Sequence, residues 1–376
     1  MFFTDKFKNA KDLYYIGGVV RDEILGKKSL DVDLTYVGNA IDFVKTLEDV
    51  DIIQVNEPFG TVRVRIDGQE IDIASTRSEI YEKAGHLPTV TKVGCSLKED
   101  VLRRDFTINA LAKNFNTGEI VDYTGGLKDI REKKLRILHD RSFIDDPTRI
   151  IRALKFSVRF GFELGEHTKI LRDNYLQNVN YDMSYKRVKK ELIETFNLNS
   201  NRAYEEFINS NIYKLITPEK AHLPSVNIEC IVNKYKNIIN LNNIWLIYIA
   251  TLPELSNLEL TFTKEELKIV RDYDSIKNVC PKNDFEIYKM FENCRTETVL
   301  IYAILNDVKI SEKYLDSLMN IKISITGEDL QNMGVKPSYK YKQCFEYVLK
   351  NKLENPQITY EQELDFAKTF LNCEEM

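Results

Sequence analysis

At 376 residues the chain exceeds the roughly 250–300 residues at which single cores stop growing, so more than one compact unit is expected. Its 43% hydrophobic and 30% charged residues suit a soluble globular protein, with no apolar run near the roughly 18 residues of a membrane span and no signal-peptide pattern at the N-terminus. A net charge of −5 excludes a broadly basic nucleic-acid coat but leaves room for a local basic groove, and six scattered cysteines without zinc spacing read as free thiols of a reducing cytosol.

Residues 1 to about 12 suggest a short leading helix. The apolar run Leu13 to Ile16 reads as a buried strand ending at Gly17-Gly18, where paired glycines let the chain turn with positive φ and let phosphates approach its N–H groups. Val19 to Leu25 has helical spacing and stops at Gly26, a C′ residue. The next strand, Leu30 to Val37, opens with Asp31 and Asp33, which at i and i+2 share one face and can hold one cation. Gly-Gly before a helix is often only a tight turn, and Asp-x-Asp only a solvated strand edge. Together, in strand–turn–helix–strand order, they point to metal-assisted phosphoryl or nucleotidyl transfer.

A helix is expected over Asn39 to Glu48 with Asn39 as N-cap. Gly60 to Arg65 and Glu70 to Ala74 alternate around Asp67-Gly68, a hairpin. Asp72 lies mid-way along its second strand, either facing solvent or serving as a third carboxylate beside the attacking hydroxyl. A polar loop over 82–97 follows, then a helical turn running into a strand through Arg103 to Ala110. Within it Arg104 or Asp105 could fix a ribose or phosphate, with Asn109 bonding the same ligand; the bland alternative is a charged strand entrance. Gly18 and Arg21 would meet a triphosphate through a backbone N–H and a guanidinium fork, although Arg21 beside Asp22 also suits a surface ion pair. Two short strands flank a helix from Gly126 to Arg131.

From Asp145 strand signals nearly vanish. Asp146-Pro147 reads as N-cap and N1 of a helix with Ile150, Ile151, Leu154 and Val158 on one side and Arg149, Arg152, Lys155 and Arg159 along the other. Amphipathy with a capping Asp explains much of this. A carboxylate with guanidinium donors one turn on also has the groups to pair with a base edge. Further helices are expected at about 167–177, 184–196, 202–215, 227–239, 242–251, 263–275, 284–295, 297–306 and 311–319, then a capped start at Thr326 and two more helices.

Four ordered motifs resemble the class II tRNA nucleotidyltransferases, which include CCA-adding enzymes and bacterial poly(A) polymerases. They are Gly17 to Asp22 with Asp31-Val-Asp33, Arg103 to Ala110, Gly125 to Arg131, and Asp145 to Ala153. The resemblance implies an α+β fold with a polymerase-beta-like nucleotidyltransferase head (1–140) and an all-helical neck (141–200), body (201–320) and tail (321–376) holding the acceptor arm of tRNA. It implies template-independent addition of C, C and A from CTP and ATP in the cytoplasm. Asp31 and Asp33 would bind two Mg2+ ions, with Asp72 assisting; Arg104 would lie near the ribose; Asp146 and Arg149 would select the base, followed by Arg152 and Lys155. The loop at 82–97 falls where the family switches from C to A addition. The chain departs from the family at Asp145, commonly Glu, and at Lys155, commonly Arg, where lysine lacks the bidentate fork. Alternatives are a CC-adding or A-adding partial enzyme, a poly(A) polymerase, a nucleotidyltransferase of small molecules or proteins, and a catalytically silent RNA-binding protein. Intact Asp31 and Asp33 argue against the last, because a binder has no need of clustered carboxylates beside RNA phosphates.

Overall fold

The computed structural model describes residues 4–29, 32–254, 258 and 260–373. Asp31, with Leu30 at the start of its expected strand and residues 1–3 of the expected leading helix, therefore lies outside the described residues. The chain divides into two compact units, residues 1–219 with 259–261 and residues 220–258 with 262–376.

The first unit is built on a seven-stranded mixed sheet in the order β3-β4-β5-β2-β1-β8-β9. Its strands are β1 (Leu13–Ile16), β2 (Asp33–Tyr36), β3 (Asp51–Asn56), β4 (Thr61–Ile66), β5 (Gln69–Ser75), β8 (Leu111–Asn114) and β9 (Ile120–Asp122). Only β2 and β5 pair in parallel; the other neighbours are antiparallel. The β4–β5 hairpin turns at Asp67 and Gly68, both at positive φ (50° and 78°), which is the geometry that matches strand twist. A two-stranded ribbon, β6 (Arg77–Ile80) with β7 (Thr89–Val93), occupies part of the stretch expected as a polar loop. Helices α1 (Gly18–Ile24) and α2 (Ala40–Lys45) contribute Val19, Val20, Ile41 and Val44 to the core over the sheet. Asn39 caps α2 as expected, its side chain accepting from Ile41 N at 3.0 Å. Among its described residues the leading segment holds only a 3-10 turn, at Asp5–Phe7.

Helix α3 (Leu97–Leu102) starts in a capping box made by Ser96 and Glu99. The strand expected through residues 106–110 is not formed there; Thr107–Asn109 is a 3-10 turn, and the strand begins at Leu111. Side chains compete with the ladder at this point. Asp105 accepts from the Phe106 N–H at 2.8 Å and from Asn109 Nδ2 at 3.0 Å, and Thr107 donates to Asp129 at 2.5 Å. Helix α4 (Gly126–Glu132) packs so closely that a Cβ on Gly126 would lie 2.3 Å from the Thr107 carbonyl oxygen.

A short α5 (Ser142–Asp145) leads into α6 (Thr148–Phe160), α7 (Glu166–Gln177), α8 (Tyr185–Phe196) and α9 (Asn201–Asn209), while β10 (Lys134–Leu135) pairs with β11 (Glu163–Leu164). Helix α6 begins two residues after Asp146, whose Oδ1 accepts from Thr148 N at 3.2 Å, so the capping role holds while the boundary shifts. Ala153 and Phe156 of α6 join the same core as the sheet.

The second unit is helical among its described residues. Its helix Thr296–Leu305 buries eight of its ten residues, as a helix apolar on all sides must. Its last part closes a small core of Ile325, Leu330, Cys344, Val348 and Ala367 after the capping box of Thr326 and Asp329. Buried Glu363 accepts from the N–H groups of Ser324 and Ile325 and pairs with Lys352. No helix among the described residues is long and apolar enough to cross a membrane.

Candidate active site

At the end of β1 the chain turns through Gly17 at φ 71°, a conformation costly for any residue with a Cβ. A Cβ there would also stand 3.0 Å from Arg104 Nη1 and 3.4 Å from the Asn109 carbonyl. Gly17 and Gly18 thereby form one wall of a cavity of about 350 Å³. Arg21, Asp33, Glu79, Tyr81, Arg103, Arg104, Asp105, Asn109, Asp146, Arg149, Arg152 and Phe156 line the rest.

Arg21 is not the surface ion pair that its neighbour Asp22 suggests. It is 4% exposed, donates to Asp22 Oδ1 from Nε at 2.9 Å and from Nη2 at 2.7 Å, and bonds the Asn109 side-chain oxygen. The guanidinium lies over the Phe160 ring at 4.4 Å. Burial lowers its pKa, opposed by Asp22. Asn109 in turn donates to Asp105, which receives Arg152 Nε at 2.9 Å and Nη2 at 2.6 Å. Burial raises the Asp105 carboxyl, but Arg152, the Asn109 hydrogen bond and Arg149 outweigh it and hold the pKa down at about 2. Thus Arg21, Asn109, Asp105 and Arg152 form one chain of bonds from the glycine turn to α6.

Asp33 and Asp72 stand opposite each other in the parallel β2–β5 pair, so both carboxylates leave the same face of the sheet. Both also line a second cavity, of about 480 Å³, which meets the first at Asp33, Arg103 and Arg104. Asp72, its side chain 48% exposed, thus lines a cavity beside Asp33. Arg63 clamps it with two 2.8 Å bonds, a bidentate pair that holds the carboxylate in place. Among the described residues no three His, Cys, Asp or Glu side chains cluster as a complete metal site.

Asp146 is 5% exposed, with Oδ1 accepting from Thr148 Oγ1 at 2.6 Å and Oδ2 bonded to Arg187 of α8. Arg149 donates to Ser142 Oγ at 2.6 Å, to the Arg103 carbonyl at 3.2 Å and to the Tyr81 hydroxyl at 3.3 Å. Asp146 and Arg149, expected to read the base, thus both line this cavity, and each is engaged within the protein.

Lys155 is not brought to this cavity. It is 8% exposed and binds Glu191 at 2.7 Å and Glu194 at 2.5 Å on α8. The basic side of α6 is consequently no solvated stripe: Arg149 and Lys155 are buried, and Arg152 is held by Asp105.

Several lining residues escaped the sequence reading. Glu79 of β6 joins Arg77 at 2.7 Å and Arg103 at 2.9 Å, while fully buried Asp100 binds Arg103 at 2.7 Å and Arg104 at 3.2 Å. This network fixes the arginines at the junction of the two cavities. Its one sequence signal was Arg77-x-Glu79, whose i,i+2 spacing puts both on one face of a strand. Tyr81, Arg63 and Arg187 carried no local signal, because their partners are supplied by the fold.

Residues 13–136 match the family described as the poly A polymerase head domain. An A-adding tRNA nucleotidyltransferase of Geobacter sulfurreducens is 30% identical over 94% of this chain and 44% of its own length. Another, of Halalkalibacterium halodurans, is 28% identical over 97% of this chain and 90% of its own. The chain spans less than half the length of two of the curated relatives it matches, 44% and 43%. Among solved structures, a CCA-adding enzyme in its apo form II gives a TM-score of 0.78 at 25% identity, covering 95% of this chain and 91% of that one. The Thermotoga maritima CCA-adding enzyme complexed with tRNA gives 0.75 at 23%, covering 96% and 91%.

The mixed sheet, its two carboxylates in register and the glycine turn all lie within the residues that match the poly A polymerase head domain. Beyond the head, the chain is similar over nearly all of its length to tRNA nucleotidyltransferases named A-adding and CCA-adding. Nucleotidyltransferases of this kind generally use divalent metals.

Proposed function

We propose that the protein is a template-independent tRNA nucleotidyltransferase that adds C, C and A to the tRNA 3′ end from CTP and ATP in the cytoplasm. One observation carries the reading. A single cavity holds a carboxylate in register with a second, a glycine turn with a buried arginine, and an Asp–Arg pair. Those are the groups needed for a metal, a triphosphate and a base. Its head, neck, body and tail would be residues 1–140, 141–200, 201–320 and 321–376.

Asp33, with Asp31, would hold Mg2+, whose preference for hard oxygen donors suits paired carboxylates. Bound there, magnesium supplies Lewis acidity toward the attacking hydroxyl and the pyrophosphate leaving group. Gly18 and Arg21 orient the triphosphate, and Arg104 lies within reach of the ribose at the junction of the two cavities. The 3′ hydroxyl oxygen bonds to the α-phosphorus as the bond to the bridging oxygen breaks, and pyrophosphate leaves. Asp72, held in place by Arg63, would take up the hydroxyl proton. Asp146 and Arg149 present an acceptor and donors to the edge of the incoming base, with Arg152 fixing the wall beside them. The placement of Lys155 supports a role in holding α6 to α8 and not in touching nucleotide.

A second reading, addition of the terminal A alone, is favoured by the A-adding names of the two relatives described above. The deciding experiment supplies CTP and ATP, singly and together with magnesium, to tRNA transcripts ending before CCA, after C and after CC. A poly(A) primer is the control. Addition that stops at CCA supports the complete enzyme; A added only to the CC end selects the second reading. Long A tails on any RNA, or no incorporation at all, overturn both.

A further inference from the structure

The edge strand β3 reads Asp51-Ile-Ile-Gln-Val-Asn56, and simple alternation from Ile52 would turn Gln54 toward the covered side of the sheet. The structure prevents this with a bulge. Ile52 pairs with Val64, but Gln54 pairs with Arg63, so the register slips by one residue and Ile53 is the additional one. Without the slip Gln54 would face the same way as Val62 and Val64, which are 1% and 0% exposed. With it, Gln54 and Asn56 face the way Arg63 does.

A row of side chains then runs across four adjacent strands, Gln54 to Arg63 to Asp72 to Asp33. Gln54 lies two strands from Asp72, roughly 10 Å at the usual strand spacing. Gln54, Asn56 and Thr61 line the 480 Å³ cavity together with Arg63, Asp72 and Asp33. The glycine turn, Arg21 and the Asp146–Arg149 pair line the neighbouring cavity instead. If that neighbour takes the nucleoside triphosphate, the strand bearing the attacking hydroxyl must approach Asp72 from the Gln54 side. The Asn56 side chain makes no capping bond to the 3-10 turn that follows it, Glu57–Phe59.

We propose that Gln54 and Asn56 read the 3′-terminal nucleotide of the acceptor RNA and so set which ends are extended. This rests on the nucleotidyl-transfer reading above. Each primary amide offers a donor and an acceptor side by side, the pattern that pairs with the exposed Watson–Crick edge of an unstacked single-stranded base. Arg63, beside them in the row, carries the positive charge that a backbone phosphate requires.

The test measures steady-state kinetics of the full chain with RNAs that differ only in the last nucleotide, ending in C, U, A or G. Wild type is compared with Gln54→Ala, Asn56→Ala and the double variant, and with Gln54→Glu, which keeps the shape but loses the amide donor. On an exposed edge strand these substitutions leave the core intact. The expected result is a loss of about 10-fold per residue in kcat/KM for the preferred end, carried by the KM for RNA, with weaker discrimination among ends. The KM for the nucleoside triphosphate and the choice between CTP and ATP stay within about two-fold, a split that a general structural defect would not produce. Active wild type with unchanged RNA KM and end preference in all four variants overturns the proposal alone. Wild type that transfers no nucleotide to any RNA overturns the underlying reading as well.

Discussion

Replacing Asp105 by Asn tests the chain of bonds that ties the glycine turn to α6. The change is isosteric and keeps an oxygen for the Phe106 N–H and for Asn109, but removes the charge facing Arg152. The Asp105 carboxyl sits at about 2 in the folded protein against an ordinary 3.8. At 1.36 kcal/mol per pKa unit that gap is worth about 2 kcal/mol. Because the folded value is depressed, the contribution is complete above the ordinary value and is lost as pH falls from about 4 toward 2. Asp105→Asn is therefore expected to lower stability by about 2 kcal/mol at pH 7, and by about half of that at pH 3. Since the chain holds two units and its one tryptophan, Trp245, lies in the second, the assay is urea unfolding followed by amide hydrogen exchange at residues 111–114 and 148–160. A loss below about 0.5 kcal/mol at pH 7, or one that stays constant down to pH 3, would refute the coupling of Asp105 to Arg152.

Other substitutions separate the roles assigned to the site. Asp33→Ala is expected to abolish nucleotide incorporation while tRNA still binds in a filter or gel-shift assay; substantial remaining turnover contradicts the metal role. Asp146→Ala should blur the choice between CTP and ATP in competition assays and leave the magnesium dependence unchanged, and an unaltered preference counts against base reading. Lys155→Met removes both ion pairs to α8 and should cost about 2 kcal/mol of stability, discounted because Glu194 is 42% exposed. Its nucleotide KM should move by less than about two-fold, and a ten-fold rise would return Lys155 to the binding site.

Much of the head was legible because its signals are local. A glycine pair after an apolar run, Asp67-Gly68 between alternating stretches and Asn39 before an apolar helical face each act within a few residues, and each element formed where expected. The misses share one cause, partners distant in sequence. Residues 106–110 have strand-like alternation, yet Asp129 from α4 and the local bonds of Asp105 hold a 3-10 turn there. The stretch 82–97 is polar enough for a loop, but Thr89–Val93 finds a partner in Arg77–Ile80. Strand β3 was overlooked because all six of its residues are exposed and its bulge breaks the period of two. The basic side of α6 suits plain amphipathy on the wheel, which shows no trace of the partners Asp105, Glu191 and Glu194.

The engaged state of Asp146 and Arg149 bears on how such a pair selects between bases. On the reading proposed above, a base that displaces a bond already made exchanges one partner for another: Arg187 on Asp146, or Ser142, Tyr81 or the Arg103 carbonyl on Arg149. Charge-assisted bonds contribute roughly 1.5–3 kcal/mol each, so exchanging one for another leaves a small net change. A base that satisfies both groups binds near break-even, whereas one that satisfies only one leaves a buried charge short of a partner and costs several kcal/mol. Selection then arises from the penalty on the wrong base. Arg187 also donates to the His86 carbonyl at 3.1 Å, and Gly85 donates its N–H to the Asp145 carbonyl at 3.0 Å. The segment expected to switch between C and A addition thus shares a hydrogen-bonding partner with Asp146, the carboxylate proposed to read the base, and movement of that segment would change what the exchange at Asp146 costs.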